Sequence, residues 1–138
     1  MELHQFRHSA FCEKVRLVWA AKRLDYTVVE VTPGLGQLEL FRLSGQRQVP
    51  VLLDGETTLT QSGVILDYIS SKTGKLGGKS AAERREVLRW LFWDNHKFST
   101  MIGNTRFLMN FLPADKRPEA VITFQQGRLK AAYAVLND

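Results

Sequence analysis

Four side chains that can bind an anion or, for Cys12, form a thiolate lie at the starts of two predicted helices. Ser9 and Cys12 begin the first helix, and Gln61 and Ser62 begin a later one. The free backbone N–H groups and the dipole of a helix N-terminus favour negative charge. A hydroxyl is a poor nucleophile without an activating base, so the Ser9 hydroxyl is suited to donate a hydrogen bond to a bound thiolate rather than to attack. The N–H and hydroxyl of Ser62 suit a carboxylate.

Each of these residues also has an ordinary structural interpretation. Ser9 and Ser62 are good N-terminal caps, and the spacing alone does not separate a cap from an anion site. Cys12 is either a small apolar residue on the buried side of the first turn or a thiolate that performs disulfide exchange. Burial is the common state of a free cysteine, and it is the interpretation that the sequence favours for Cys12.

A further candidate site lies in residues 47–53, where Pro50 opens a short run of β-forming residues. A proline at the first position of a strand leaves the ladder of hydrogen bonds intact. A cis Val49–Pro50 bond would turn the N–H and C=O of Val49 outward, where they can pair with an extended peptide ligand. The plain alternative is a simple strand entry.

Strands and helices alternate up to about residue 75. The predicted order is strand, helix, strand, short helix, strand, strand, helix, with strands at residues 3–6, 26–31, 51–53 and 57–60. The first two strands flank a helix that begins at Cys12 and should be parallel. Asp54-Gly55 predicts an antiparallel hairpin between the last two. We therefore expect a mixed four-stranded sheet with helices packed on it.

The chain beyond the glycine-rich linker at residues 74–79 is predicted to be helical only. Ser80 and Glu83 are spaced as a capping box. Apolar residues at helical spacing predict one long helix to about residue 112 and a second from Pro118, with an apolar stripe at Val121, Phe124, Ala131 and Val135. A helical hairpin with aromatic residues on all its faces needs further partners, either more chain or a partner subunit.

Composition and charge exclude several classes of function. The chain is 44% hydrophobic and 24% charged, with a net charge of +5 that is dispersed, so neither a nucleic-acid partner nor a membrane partner is expected. The single cysteine, Cys12, excludes an internal disulfide, and the three histidines lack metal-ligand spacing. No signal-peptide pattern is present, and no apolar run approaches the roughly 18 residues that span a bilayer. A metal-free protein of the reducing cytoplasm is expected.

In this order and spacing, the segments resemble the cytosolic glutathione transferases, in a bacterial-type form with serine in the active-site position. Residues 9–16 are similar to the first-helix signature of that family, and residues 44–52 to its Asn-Pro-x-Gly-(Lys/Gln)-Val-Pro segment. Residues 61–69 resemble its (Glu/Gln)-Ser helix start. Residues 90–96 resemble the first helix of its C-terminal domain. The resemblance covers essentially the whole chain.

The resemblance implies an α/β plus all-α fold. A thioredoxin-like βαβαββα domain at residues 1–76 is followed by a partial all-helical domain at residues 82–138. Family members are longer than this chain, so the resemblance implies a C-terminally truncated helical domain and an incomplete second-substrate pocket. It also implies a homodimer that conjugates glutathione, its co-substrate, to a small and largely apolar electrophile in detoxification.

The resemblance also implies roles for individual residues. Ser9 would stabilise the glutathione thiolate, and Cys12 occupies the place of a redox cysteine in related thiol-exchange proteins. The cofactor-binding residues implied are Phe11, Gln48, Val49, Pro50, Gln61 and Ser62. Val49 would pair with the cysteinyl backbone, Gln61 and Ser62 would hold the γ-glutamyl end, and Gln48 would reach the glycyl carboxylate. The electrophile would lie near Phe11, Trp93, His96 and Phe98.

Two departures from the family pattern bear on the site. Arg47 replaces a glycine, which implies a different turn or backbone strain, and Gln61 is neutral where many members carry glutamate. Two other functions stay open: a glutathione-dependent thiol-disulfide oxidoreductase that uses Cys12, and a non-catalytic module for glutathione binding or dimerisation.

Overall fold

The computed structural model of the chain describes residues 1–32 and 34–137 and divides into two compact units, Met1–Val87 and Leu88–Asp138. The elements of the first unit are β1 (Glu2–Gln5), α1 (Ala10–Lys22), β2 (Thr27–Glu30), α2 (Leu35–Ser44), β3 (Val51–Asp54), β4 (Thr57–Thr60) and α3 (Ser62–Thr73). Helix α4 (Ala81–Trp93) begins in this unit and ends in the next. A π-helix (Asp94–Ser99), α5 (Thr100–Asn110), a 3-10 turn (Ala114–Lys116) and α6 (Glu119–Asn137) follow.

The four strands form one mixed sheet in the order β2-β1-β3-β4. Strand β1 is parallel to β2 and antiparallel to β3, and β3 and β4 form the predicted antiparallel hairpin. Leu3 pairs with Val28 on one side and with Leu52 on the other. The βαβαββα order confirms the predicted thioredoxin-like fold class, followed by helices only.

Apolar side chains leave the sheet on both faces because successive residues of a strand point in opposite directions. Leu3 and Leu52 point to one face, where they form a fully buried core with residues of α1 and α3: Val15, Trp19, Ile65 and Ile69. Val51 points to the other face and packs with Leu40 of α2 and with Val31. The two central strands, β1 and β3, are thereby covered on both sides.

Helix α1 differs from its prediction in its start and in its buried face. It begins at Ala10 rather than at Cys12, with Ser9 as its N-cap. Leu17 is apolar, but it is 61% exposed. Lys22 of the same helix is instead buried, and its ammonium donates to Thr73 Oγ1 at 2.7 Å and to the Lys75 carbonyl. The buried Lys22 therefore links the end of α1 to the end of α3.

The predicted long helix of the second half is interrupted. Ser80 and Glu83 form the predicted capping box: the Glu83 N–H donates to Ser80 Oγ at 3.2 Å, and Glu83 Oε2 accepts from the Ser80 N–H at 3.3 Å. The backbone then widens into the π-helix, whose Ser99 hydroxyl donates to Asp94 at 2.8 Å. A local widening of this kind rotates the side chains that follow it, which a single helical period does not anticipate.

The apolar stripe predicted for α6 is wrong by one position. Val121, Phe124 and Val135 are 45%, 64% and 47% exposed, whereas Ile122 and Ala132 are buried. Along the buried face, the Thr105 hydroxyl of α5 donates to the Gln125 side chain at 3.0 Å. Two adjacent stripes of α6 are apolar, and packing against α5 selects the second. Within the described part of the chain, no helix is long and apolar enough to cross a membrane.

A polar cluster fastens α3 to the β3–β4 hairpin. The Tyr68 hydroxyl donates to Asp54 Oδ2 at 2.7 Å, and the Lys72 ammonium forms an ion pair with the same oxygen. The hydrogen bond from Lys72, and then the one from Tyr68, lower the pKa of the Asp54 carboxyl. The same contacts raise the pKa of Lys72 and of Tyr68.

We expect Asp54→Asn to destabilise the chain most at intermediate pH. Because the pKa of Asp54 is lower in the folded chain than in the unfolded chain, its carboxylate stabilises the fold at pH values above the unfolded pKa of about 3.9. This stabilisation is lost as the pH falls through the pKa of the folded chain. The pKa values of Tyr68 and Lys72 are raised in the folded chain, so these groups stabilise the fold at pH values below their unfolded pKa values of about 10. This stabilisation is lost as the pH rises through the pKa values of the folded chain. Urea unfolding across pH should show a wild-type advantage that narrows at both ends. Tyr68→Phe should show part of the effect, and a constant difference would contradict the assignment.

Candidate active site

One cleft of about 300 Å³ in the first unit gathers residues from helices α1 and α3 and from the segments that precede β3 and α3. Its lining comprises Phe11, Gln46, Gln48, Val49, Pro50, Gln61 and Ser62. All six residues predicted to bind glutathione are therefore brought together, although they are spread over some fifty positions of the sequence. Gln46 is the lining residue that sequence reasoning missed. Its position two residues before Gln48, on the same extended segment, is the signal that could have found it.

The loop before β3 forms the first wall of the cleft. The Val49–Pro50 peptide bond is cis, as hypothesised from the sequence, and β3 begins at the next residue. Gly45 takes the left-handed conformation that ends α2, with φ of 71°. Arg47 does not have a positive φ, so the different turn that its presence implied is made at Gly45. The Arg47 guanidinium lies over the Phe41 ring, 5.6 Å from its centroid.

The second wall is the junction between β4 and α3. Ser62, predicted as the N-cap of α3, is instead its first residue and is 3% exposed. Gln61 takes the N-cap position without a side-chain capping bond. Its φ of 67° and ψ of 115° place a non-glycine residue in a sparsely populated region. Such conformations persist only when the surroundings impose them, and they are concentrated at binding sites.

Ser9 stands at the start of α1 but is not among the residues that line the cleft. It is the N-cap of the helix, and its Oγ accepts from the Cys12 N–H at 3.3 Å. Because a hydroxyl can accept and donate at the same time, this capping bond leaves the Ser9 O–H able to donate. Phe11, in the first turn of the same helix, does line the cleft, so the start of α1 borders it.

Cys12 lies on the buried side of that first turn, with no exposed surface. Burial raises the pKa of its thiol, because the charged thiolate loses its hydration. Hydrogen bonds from Ser9 and from the Phe6 backbone, together with the charge of Arg16, act in the opposite direction without reversing the shift. Cys12 therefore has neither the access nor the ionisation that a reactive thiol needs.

The residues predicted near an electrophile lie partly in the second unit. The Trp93 ring stacks on Phe98 with centroids 5.9 Å apart, and Phe98 meets the Tyr133 ring edge-on at 5.0 Å. His96 is exposed. Among residues 1–32 and 34–137, no group of three His, Cys, Asp or Glu side chains is arranged to hold a metal ion.

Comparison with known proteins identifies related families and folds. The family model of the glutathione S-transferase N-terminal domain matches residues 3–93. The disulfide-bond oxidoreductase YfcG of Escherichia coli is 31% identical over 134 residues, which cover 90% of this chain and 61% of that protein. Prostaglandin E synthase 2 of Danio rerio is 38% identical over 81 residues, which cover 55% of this chain and 21% of that protein. The chain thus spans about three fifths of the length of the E. coli relative.

Solved structures match the fold over 98% of this chain. A theta class glutathione S-transferase from Xanthomonas axonopodis pv. citri with glutathione bound gives a TM-score of 0.87 at 22% identity, over 98% of this chain and 67% of that one. A glutathione transferase from Pseudomonas putida, with one glutathione disulfide bound per subunit, gives a TM-score of 0.81 at 26% identity, over 98% of this chain and 62% of that one.

The burial of Cys12 predicts slow alkylation in the folded chain. We expect iodoacetamide to react about tenfold more slowly, or slower still, than in urea, because burial keeps the reagent from the sulfur and the raised pKa lowers the thiolate fraction. Mass spectrometry of quenched samples measures the rate. A Cys12→Ser, Ser71→Cys variant carries an exposed thiol and should react at nearly the same rate folded and unfolded. Equal rates for native and unfolded Cys12 would show an accessible thiol instead.

Proposed function

Because the chain belongs to the glutathione S-transferase family, we propose that it binds glutathione in the cleft and directs its thiolate to a small, largely apolar electrophile. The observation that carries the proposal is the convergence of the six predicted glutathione-binding residues on one cleft. Glutathione-bound structures of the same fold support it. The family also supports a homodimer and a cytoplasmic setting.

In this proposal the peptide lies extended along the loop before β3. The backbone N–H and C=O of Val49 pair with its cysteinyl residue, as a strand would pair with an exposed sheet edge. Ser62, at the first position of α3, receives the γ-glutamyl carboxylate, which the helix N-terminus favours. Gln61 lies beside it, and Gln48 reaches the glycyl carboxylate.

The reacting thiol is stabilised at the start of α1. The Ser9 O–H donates to the glutathione sulfur, and the helix dipole favours the thiolate over the thiol. A larger thiolate fraction at neutral pH raises the rate of attack on an electrophile. The thiolate forms the new carbon–sulfur bond while the leaving group, or the electrons of the attacked double bond, take up the negative charge. Phe11 offers an apolar surface beside this position.

Glutathione-dependent disulfide exchange is the second candidate function. The relationship to the E. coli disulfide-bond oxidoreductase favours it, at 31% identity. The burial of Cys12 and its raised thiol pKa oppose exchange through Cys12 itself. Exchange would therefore run between the bound glutathione thiolate and a disulfide substrate, with the same Ser9 contribution.

Calorimetric titration with glutathione tests the cleft. We expect saturable binding to one site per chain, and a Ser62→Ala variant should bind about tenfold more weakly or worse, since a hydrogen bond to a charged group is lost. Ser71→Ala removes an exposed hydroxyl from the same helix and should bind as the wild type does. Thermal unfolding confirms that each variant is folded. A folded chain without binding heat would refute the proposal in favour of a non-catalytic role.

Rates of conjugation and of disulfide reduction, measured for variants of Ser9 and of Cys12, show which of these residues acts on the reacting thiol. Ser9→Ala should lower the rate of conjugation to a model aryl halide about tenfold or more at neutral pH, because the thiolate loses a charge-assisted hydrogen bond. Cys12→Ser should retain most of that rate and most of any reduction of a mixed disulfide. A full rate in Ser9→Ala would remove its assigned role. Loss of disulfide reduction in a folded Cys12→Ser would restore the alternative that uses Cys12.

A further inference from the structure

A closed ring of polar contacts surrounds the backbone of Arg7, in the loop between β1 and α1. The Arg7 N–H donates to Glu30 Oε2 at 3.1 Å, and the Arg7 carbonyl accepts from Arg16 Nη2 at 3.1 Å. Gln5 closes the ring, since its Oε1 accepts from Arg16 Nη1 at 2.7 Å and its Nε2 donates to Glu30 Oε1 at 2.5 Å. Strands β1 and β2 and helix α1 each contribute one side chain.

The ring acts on the segment that carries Ser9. Arg7 precedes Ser9 by two residues, and the Ser9 N–H donates to the Phe6 carbonyl at 3.0 Å. Hydrogen bonds therefore hold this segment at three residues: at Phe6 through the turn, at Arg7 through the ring, and at Ser9 through its capping bond to Cys12. A shift of the Arg7 peptide would move the Ser9 hydroxyl with it.

The chemistry of the ring gives it a single arrangement. A guanidinium only donates and a carboxylate only accepts, so the Gln5 amide between them has one possible orientation. Gln5 is 4% exposed, and its bonds to Arg16 and Glu30 are charge-assisted, whereas Glu30 and the two bonds to the Arg7 backbone are exposed. Because the donors and acceptors around the buried Gln5 amide are fixed, the ring gives more directional constraint than a single ion pair does.

We propose that Arg16, Gln5 and Glu30 are positioning residues, which hold both backbone polar groups of Arg7 and thereby set the place of the Ser9 hydroxyl at the start of α1. This inference rests on the proposed role of Ser9 in stabilising the glutathione thiolate. None of the three side chains lines the cleft, so their effect on the thiol is exerted through the loop.

The chain contains a matched control for the ring. Glu13 forms an ion pair with Nη2 of the same Arg16, but its side chain is 55% exposed. Glu13→Gln removes one charge next to Arg16 and leaves the bonds to Arg7 and Gln5 in place. Glu30→Gln, by contrast, leaves one carbonyl oxygen for two donors, the Arg7 N–H and Gln5 Nε2. Arg16→Lys keeps the charge but cannot bridge Gln5 and the Arg7 carbonyl as a fork does.

Amide hydrogen exchange of the ligand-free chain tests the positioning directly. We expect Glu30→Gln and Arg16→Lys to speed exchange at Ser9 and Cys12 about tenfold, with the amides of Ile65 to Ile69 in α3 unchanged. Glu13→Gln should match the wild type at both places. A uniform acceleration across α1 and α3, or none at Ser9, would overturn the inference, because the ring would then affect only global stability or nothing at all.

The ultraviolet absorbance of the bound thiolate, followed against pH, tests the consequence for chemistry. Glu30→Gln and Arg16→Lys should each raise the midpoint, the pH at which half of the bound glutathione thiol is ionised, by about half a unit to one unit. This shift corresponds to a roughly three- to tenfold loss of thiolate at neutral pH. Combining Ser9→Ala with Glu30→Gln should give the midpoint of Ser9→Ala alone, because a positioning effect has nothing left to position.

The absorbance titrations of Ser9→Ala and of the ring variants distinguish a failure of the positioning inference from a failure of the role proposed for Ser9. If Ser9→Ala raises the midpoint and the ring variants do not, the inference is overturned and the role of Ser9 stands. If Ser9→Ala leaves the midpoint unchanged, the role of Ser9 fails and the inference fails with it. A ring variant whose effect simply adds to that of Ser9→Ala acts on the thiol by another route, which also overturns the inference. If Glu30→Gln does not fold, Arg16→Lys decides the question.

Discussion

The cleft depends on one apolar contact: helices α1 and α3 pack against the same face of the sheet. Trp19 of α1 and Ile65 and Ile69 of α3 are fully buried against the two central strands. Burying side chains of this size stabilises a fold by about 1.5–3 kcal/mol each. Because this core sets the position of both helices, their first turns border the same cleft as the start of β3. The polar groups at the helix starts are useful only because the apolar residues farther along place them there.

The same core decides which group can react. The first turn of α1 points Cys12 into the apolar interior, where a thiolate is unfavourable. Ser9 caps that turn and Phe11 reaches the cleft. A thiol brought by a ligand would therefore find a hydroxyl donor and a helix dipole, whereas the protein's own thiol finds neither water nor space. This is the physical reason that we propose the thiol of a bound glutathione, rather than Cys12, as the reacting group.

Much of the fold was predictable from the sequence because it depends on neighbouring residues. The Asp54-Gly55 turn and the Ser80–Glu83 capping box are local and were predicted correctly. The errors occurred where several local solutions were equally good. Two adjacent faces of α6 are apolar, and only the packing on α5 selects the one with Ile122. Leu17 is apolar, yet it lies on the exposed side of α1.

The sequence by itself determined the order of strands and helices, the hairpin and six of the residues that line the cleft, because motif spacing and local propensity encode them. Only the tertiary structure decided the strand order β2-β1-β3-β4, the burial of Cys12 and Lys22, and the ring around the Arg7 backbone. These features join groups far apart in the chain, and their energies depend on removal from water and on geometry between elements. No local pattern contains that information, so it appears only when the sheet and helices are assembled.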